Sequence, residues 1–210
     1  MTTKLLLYNG ALTKLGERRL SSLSESREPR RALDGVYDDA FVNKVLIAGL
    51  WNFATRSVEA DYSASVTPDF GFLRAYDKPT DFIRTVAVCS DEYFQSPLLA
   101  YSDEGEYWFC DLDTIYVRYV SNDSNYGGDL SLWPDNFSEY AQLALAEKVC
   151  MRLTGSKATH DEIRIDMKKA LTAAKSTDAM ADPTKFLPSG SWARARKGNN
   201  GGYPKTNPWG

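Results

Sequence analysis

The spacing of apolar residues in this chain switches from a helical repeat to a strand-like one and back, which restricts it to packed helices carrying an inserted β region. From residue 3 to 15, Leu5, Tyr8, Leu12 and Leu15 recur three or four apart and draw one stripe on a short helix that Gly16 can stop. After a serine-rich loop, Pro29 stands where a first helical turn tolerates it. Apolar pairs at Ala32/Leu33, Val36/Tyr37, Ala40/Phe41, Val45/Leu46 and Leu50/Trp51 then predict one long helix ending near Phe53. Gly35 and Gly49 inside it each cost about 1 kcal/mol relative to alanine, which points to close backbone approach or a bend.

From Ser57 to Leu132 aromatic and β-branched residues dominate, broken by Pro, Gly and Asp. Phe82 to Cys89, Tyr107 to Cys110 and Thr114 to Val120 read as antiparallel strands, with Asp103, Glu104 and Gly105 as a turn between Tyr101 and Tyr107. Helical spacing returns after Trp133 and Pro134. There Phe137, Tyr140, Ala141, Ala144, Leu145, Val149 and Leu153 run to Gly155 with enough small apolar neighbours to predict burial on more than one side. Thr159 with Glu162 forms a capping-box pattern, and Ile163, Met167, Ala170, Leu171 and Ala174 follow as the stripe of a fourth helix. Beyond Ala181, four prolines and the Gly198 to Gly202 stretch leave nothing able to build a core. The expected class is therefore α+β: an antiparallel bundle of about four helices from residues 1–56 and 133–180, an inserted antiparallel β lobe at 57–132, and an extended basic and aromatic C-terminal arm at 181–210.

Charge is unevenly placed. The formal net charge is −3, yet from Pro183 onward Lys185, Arg194, Arg196, Lys197 and Lys205 stand without an acidic residue, leaving 20 basic against 28 acidic residues before them. A body of that sign is not a free nucleic-acid binder driven by phosphate contacts. No run of eighteen apolar residues occurs, and Leu5 to Leu7 is too short for the core of a signal peptide, so no membrane partner is expected. Cys89, Cys110 and Cys150 are odd in number and widely spaced, as buried reduced thiols would be, and unlike a disulfide frame or zinc site.

Chemistry finds no anchor. His160 is the sole histidine and falls within the capping-box pattern. Nucleophile elbows, phosphate-binding loops and dinucleotide fingerprints are missing. The stretch from Asp123 to Asp129 imitates a calcium loop, but the acid required at its twelfth position falls on Pro134. Asp111 and Asp113 fit a turn, and Trp51, Phe53 and Trp133 fit staples between lobe and bundle. No catalytic, cofactor-binding or metal-binding residue is predicted. The arm offers the one candidate site: Phe186, Trp192, Tyr203 and Trp209 as anchors, with Arg194, Arg196, Lys197 and Lys205 for electrostatic steering.

Four segments, in order, resemble the head-to-tail adaptors of tailed bacteriophages, the family of tail tubular protein A. They are Asn9, Leu12, Leu15, Gly16, Glu17 and Leu20 to Leu23; Trp51 to Ala54; Tyr76 to Arg84; and the Phe137 to Leu153 helix. Two departures stand out: Leu50 separates Gly49 from Trp51, and Lys78 replaces an apolar residue. The resemblance covers roughly residues 1–175. It implies a virion structural protein made in the host bacterial cytoplasm and located in the virion neck, where copies form a ring, usually a dodecamer. Implied partners are the portal protein, the next neck component (nozzle, stopper or tail terminator) and genomic DNA passing through the lumen without specific binding. The alternative is a nucleic-acid-binding clamp that uses the basic aromatic tail; its binding would fall steeply with salt. An enzyme with a carboxylate site is the third reading.

Overall fold

The computed structural model describes residues 1–181, and within them the chain is α+β, with five helices and two antiparallel sheets. Helix α1 (Lys4–Lys14) starts where the Thr3 hydroxyl accepts a bond from the Leu6 N–H at 3.3 Å, and the chain leaves it through Gly16 at a φ of 72°. Its buried stripe is Leu7, Tyr8, Ala11 and Leu12. The run expected as one long helix is two, α2 (Glu28–Asp38) and α3 (Phe41–Leu46), divided at Ala40, whose φ of 51° lies in the left-handed region. The spacing explains the break. Apolar pairs step by four residues as far as Phe41 and then by five, and each step of five would swing the stripe about 140° around a continuous helix. Breaking the helix returns Phe41, Val45 and Leu46 to the core. Gly49 does meet a close neighbour, since a Cβ there would lie 2.8 Å from the Trp51 indole, whereas Gly35 faces open space.

The strands are β1 (Thr55–Asp61), β2 (Arg74–Asp77), β3 (Phe82–Cys89), β4 (Ser102–Glu104), β5 (Tyr107–Cys110) and β6 (Thr114–Ser121). They form a larger sheet in the order β1-β6-β3 and a smaller one in the order β2-β5-β4. Alternation assigns the faces. Tyr76, Trp108 and Cys110 of the small sheet share one core with Val88, Ile115, Val117 and Tyr119 of the large sheet. The other face of the large sheet gives Val120, with Ile83 and Val86 beside it, to the helical core. Asp103 and Glu104, expected in a turn, belong to β4; the two-residue turn is Gly105 and Glu106, where the glycine supplies the positive φ of 54°.

Helix α4 (Asp135–Thr154) is the centre of the bundle, buried through Phe137, Tyr140, Ala141, Leu143, Leu145, Ala146, Val149 and Cys150 and closed by Gly155 at a φ of 62°. Helix α5 (Lys157–Ala181) begins before the expected capping box. Ser156, directly after the left-handed glycine, takes the capping role and accepts the Thr159 N–H on its hydroxyl at 3.2 Å. The segment between β6 and α4 joins lobe to bundle. Gly127 lies so close to the Ser121 carbonyl, Ala54 and Leu46 that a side chain there would meet atoms 2.6 to 2.9 Å away.

Candidate interaction surfaces

The segments that carry the resemblance fall at joints of the structure. After α1 the side chain of Asn9 clamps the turn from both sides, donating to the Leu20 carbonyl at 3.0 Å and accepting the Leu20 N–H at 2.7 Å, so that Leu20 is drawn into the core. In the third segment Asp81 is a hub with its side chain 12% exposed. It accepts bonds from Arg56 of β1 at 2.9 Å and from Tyr119 and Ser121 of β6, while its carbonyl takes the Asn122 N–H. Burial pushes its carboxyl up, but bonds from Ser121, Arg56 and Tyr119 outweigh burial and hold it below the ordinary aspartate value.

Lys78, the departure from the family pattern, is itself accommodated. Its side chain is 7% exposed, pairs with Asp103 at 2.5 Å, donates to the Gly105 carbonyl at 2.7 Å and lies 4.9 Å from the centre of the Phe82 ring. A charge with three such partners can occupy a position otherwise suited to an apolar side chain.

Trp51, Phe53 and Trp133 converge on Phe137, with ring centres 4.7, 4.9 and 4.8 Å from it. Staples were the sequence expectation for all three, and Phe137 is the member that ties them together. Beside this cluster an apolar recess of about 150 Å³ opens toward Ala174 and Ala181, at the root of the arm. Phe186, Trp192, Arg194, Arg196, Lys197, Tyr203, Lys205 and Trp209, the proposed arm residues, lie outside the described residues.

The groups weighed for chemistry in the sequence have structural surroundings among the described residues. His160 Nε2 lies 3.4 Å from Glu147 and ties α5 to α4. The three cysteines are buried and unpaired, and burial pushes the Cys89 thiol above its ordinary value, which makes it a poor nucleophile. Asp111 accepts the Leu73 N–H, Asp113 pairs with Arg74, and Asp123 accepts the Asn125 N–H within its own turn. Among the described residues no three His, Cys, Asp or Glu side chains gather to hold a metal ion, and no helix is long and apolar enough to cross a membrane.

The structure also localises the charge. Residues 55–132 hold fourteen acidic and five basic residues, whereas 1–54 with 133–181 hold thirteen acidic and fifteen basic. The negative excess thus belongs to the β region, a partition that a count along the sequence could have found once the boundaries were known. Comparison with known proteins returns no matching family model and no matching curated protein.

Proposed function

We propose that this chain is a structural head-to-tail adaptor of a tailed bacteriophage and not an enzyme. Copies close into a ring, probed first as a dodecamer, that docks beneath the portal and joins it to the next neck component around a channel for the genome. The observation that carries this reading is the position of the resembling segments. The Asn9 to Leu20 clamp fixes the loop on the first helix, the Trp51 and Phe53 cluster packs the entry to the lobe on α4, and the Asp81 hub ties β1 to the end of β6.

Charge adds support. A channel that passes DNA without holding it must avoid rows of Lys and Arg, because these bind phosphates by releasing counterions. The β region, with its large acidic excess, suits the channel wall, while Phe186, Trp192, Arg194, Arg196, Lys197, Tyr203, Lys205 and Trp209 suit an acidic groove on the portal. The same excess weighs against the nucleic-acid clamp. Electron cryomicroscopy of purified virions tests the proposal: density for this chain in a ring at the neck is the expected result. Virions whose neck lacks it, or a turnover reaction traced to its residues, would overturn the reading.

A further inference from the structure

Three cations line one cleft of about 770 Å³ where the large sheet meets the bundle. Arg84 on β3 stands opposite Val120 of β6, and Arg118 lies two residues along β6 on the same face. Lys175 reaches the opposite wall from α5. The Arg118 guanidinium sits over the Phe94 ring, 4.1 Å from its centre, and its Nε donates to the Ser57 hydroxyl at 3.2 Å. Arg84 donates to the Ile47 carbonyl at 3.4 Å. The lobe's other cations, Arg56, Arg74 and Lys78, are each neutralised by an aspartate, but among the described residues Arg84 and Arg118 have no carboxylate partner. Asp178 also lines the cleft and is engaged by the backbone N–H of Asn52 at 3.1 Å. Ile47 and Leu50 at the rim are 55% and 48% exposed.

Positive charge beside exposed aliphatic groups suits a protein segment that sets a carboxylate among apolar side chains; a phosphate backbone would leave the rim uncovered. The chain carries such a segment on the other side of its lobe. Tyr107 and Phe109 of β5 alternate with the buried Trp108 and Cys110, so they face away from the large sheet, and the loop from Val66 to Phe72 lies over them. That loop turns at Gly71, with a φ of 91°, and presents exposed Asp69, Phe70 and Leu73, the last two 90% and 77% exposed. Resting on the ring proposed above, we infer that the Arg84, Arg118 and Lys175 cleft receives the Asp69 to Leu73 loop of a second copy of this chain. The two surfaces are different, complementary and on opposite faces of the lobe, as a head-to-tail contact that closes by rotation requires.

Full-length protein carrying R84E and R118E, and full-length protein carrying D69K and F70S, test the inference by mass photometry across a concentration and salt series. Each variant alone should self-associate at least about tenfold more weakly than wild type. Mixed together they should form dimers and nothing larger, because the intact loop of one fits the intact cleft of the other and no second contact remains. That rescue also shows that both variants are folded. Wild-type rings left intact by either variant, or a mixture that stays monomeric while wild type assembles, would overturn the inference and leave the ring standing. Wild type that never self-associates, alone or on purified portal, would overturn the ring and the inference with it. Loss of binding to a fluorescent DNA duplex in R84E/R118E, with self-association unchanged, would make the cleft a nucleic-acid groove instead.

Discussion

The indole N–H of Trp133 donates to the carbonyl of Gly127 at 2.9 Å, fastening the end of the β region to the start of α4. Gly127 cannot yield, since a methyl group there would meet the Ser121 carbonyl oxygen at 2.6 Å. Gly127→Ala should destabilise the chain by about 1–3 kcal/mol through overpacking, and Trp133→Phe should cost about 1 kcal/mol through the lost bond. Urea titration followed by tryptophan fluorescence measures the first and circular dichroism the second. A Gly127→Ala midpoint equal to wild type would show that this joint has slack.

Lys78 and Asp103 separate two roles for a buried charge. Lys78→Ala leaves Asp103 without its cation and should lose about 2 kcal/mol, less than the roughly 3–5 kcal/mol of a fully buried pair because Asp103 keeps some solvent. The double change Lys78→Met with Asp103→Ser removes both charges and should recover most of that loss. A double variant less stable than Lys78→Ala would mean that the pair contributes net stability instead of tolerating a substitution.

Acid should unfold the lobe through Asp81 and Asp103. Burial raises both carboxyls, but hydrogen bonds from Ser121, Arg56 and Tyr119 to Asp81, and from Lys78 and Thr85 to Asp103, leave both below the usual aspartate value. A group whose folded pKa is depressed adds stability that is complete above its unfolded pKa, near about 4, and is lost as pH falls through the folded value. Unfolding free energy should thus be level above about pH 5 and decline below about pH 4. Asp81→Asn should be less stable at neutral pH and show a shallower decline in acid. An unchanged acid slope would assign the loss to other carboxylates.

Removal of residues 183–210 should leave the melting temperature of the remainder close to that of the full chain, because among the described residues the two cores lie within residues 7–174. On the proposed adaptor role, the shortened protein should fail to decorate purified portal rings in electron micrographs. Decoration that persists would take the arm out of the docking step.

Periodicity exposed the elements whose burial follows a simple repeat. The strand Thr114–Ser121 lies where alternation puts it, Phe82–Cys89 and Tyr107–Cys110 are strands as their aromatic and β-branched residues suggest, and α4 is buried on several sides as its alanines and leucines require. What the pattern concealed was decided by tertiary neighbours. Ala40 breaks a helix because the stripe would otherwise drift off the core, and nothing local marks that alanine as left-handed. Ser156 displaces Thr159 as a cap because Gly155 ends α4 one residue earlier. The cleft formed by Arg84, Arg118 and Lys175 draws on two strands and a helix distant in sequence, so only the assembled fold brings those charges together.

Helix α1 is held by partners far down the chain: Thr2 shares a hydrogen bond with Ser138, 136 positions on, and Lys14 pairs with Glu139, 125 positions on. On the ribosome the β region emerges whole before those partners do and can close its own core around Tyr76 and Trp108. Leu7, Ala11 and Leu12 meanwhile wait for α4, for on the order of ten seconds at typical rates of synthesis. The nascent chain therefore carries a partly covered apolar stripe during that interval, and the yield of folded protein should depend on how well that stripe is shielded.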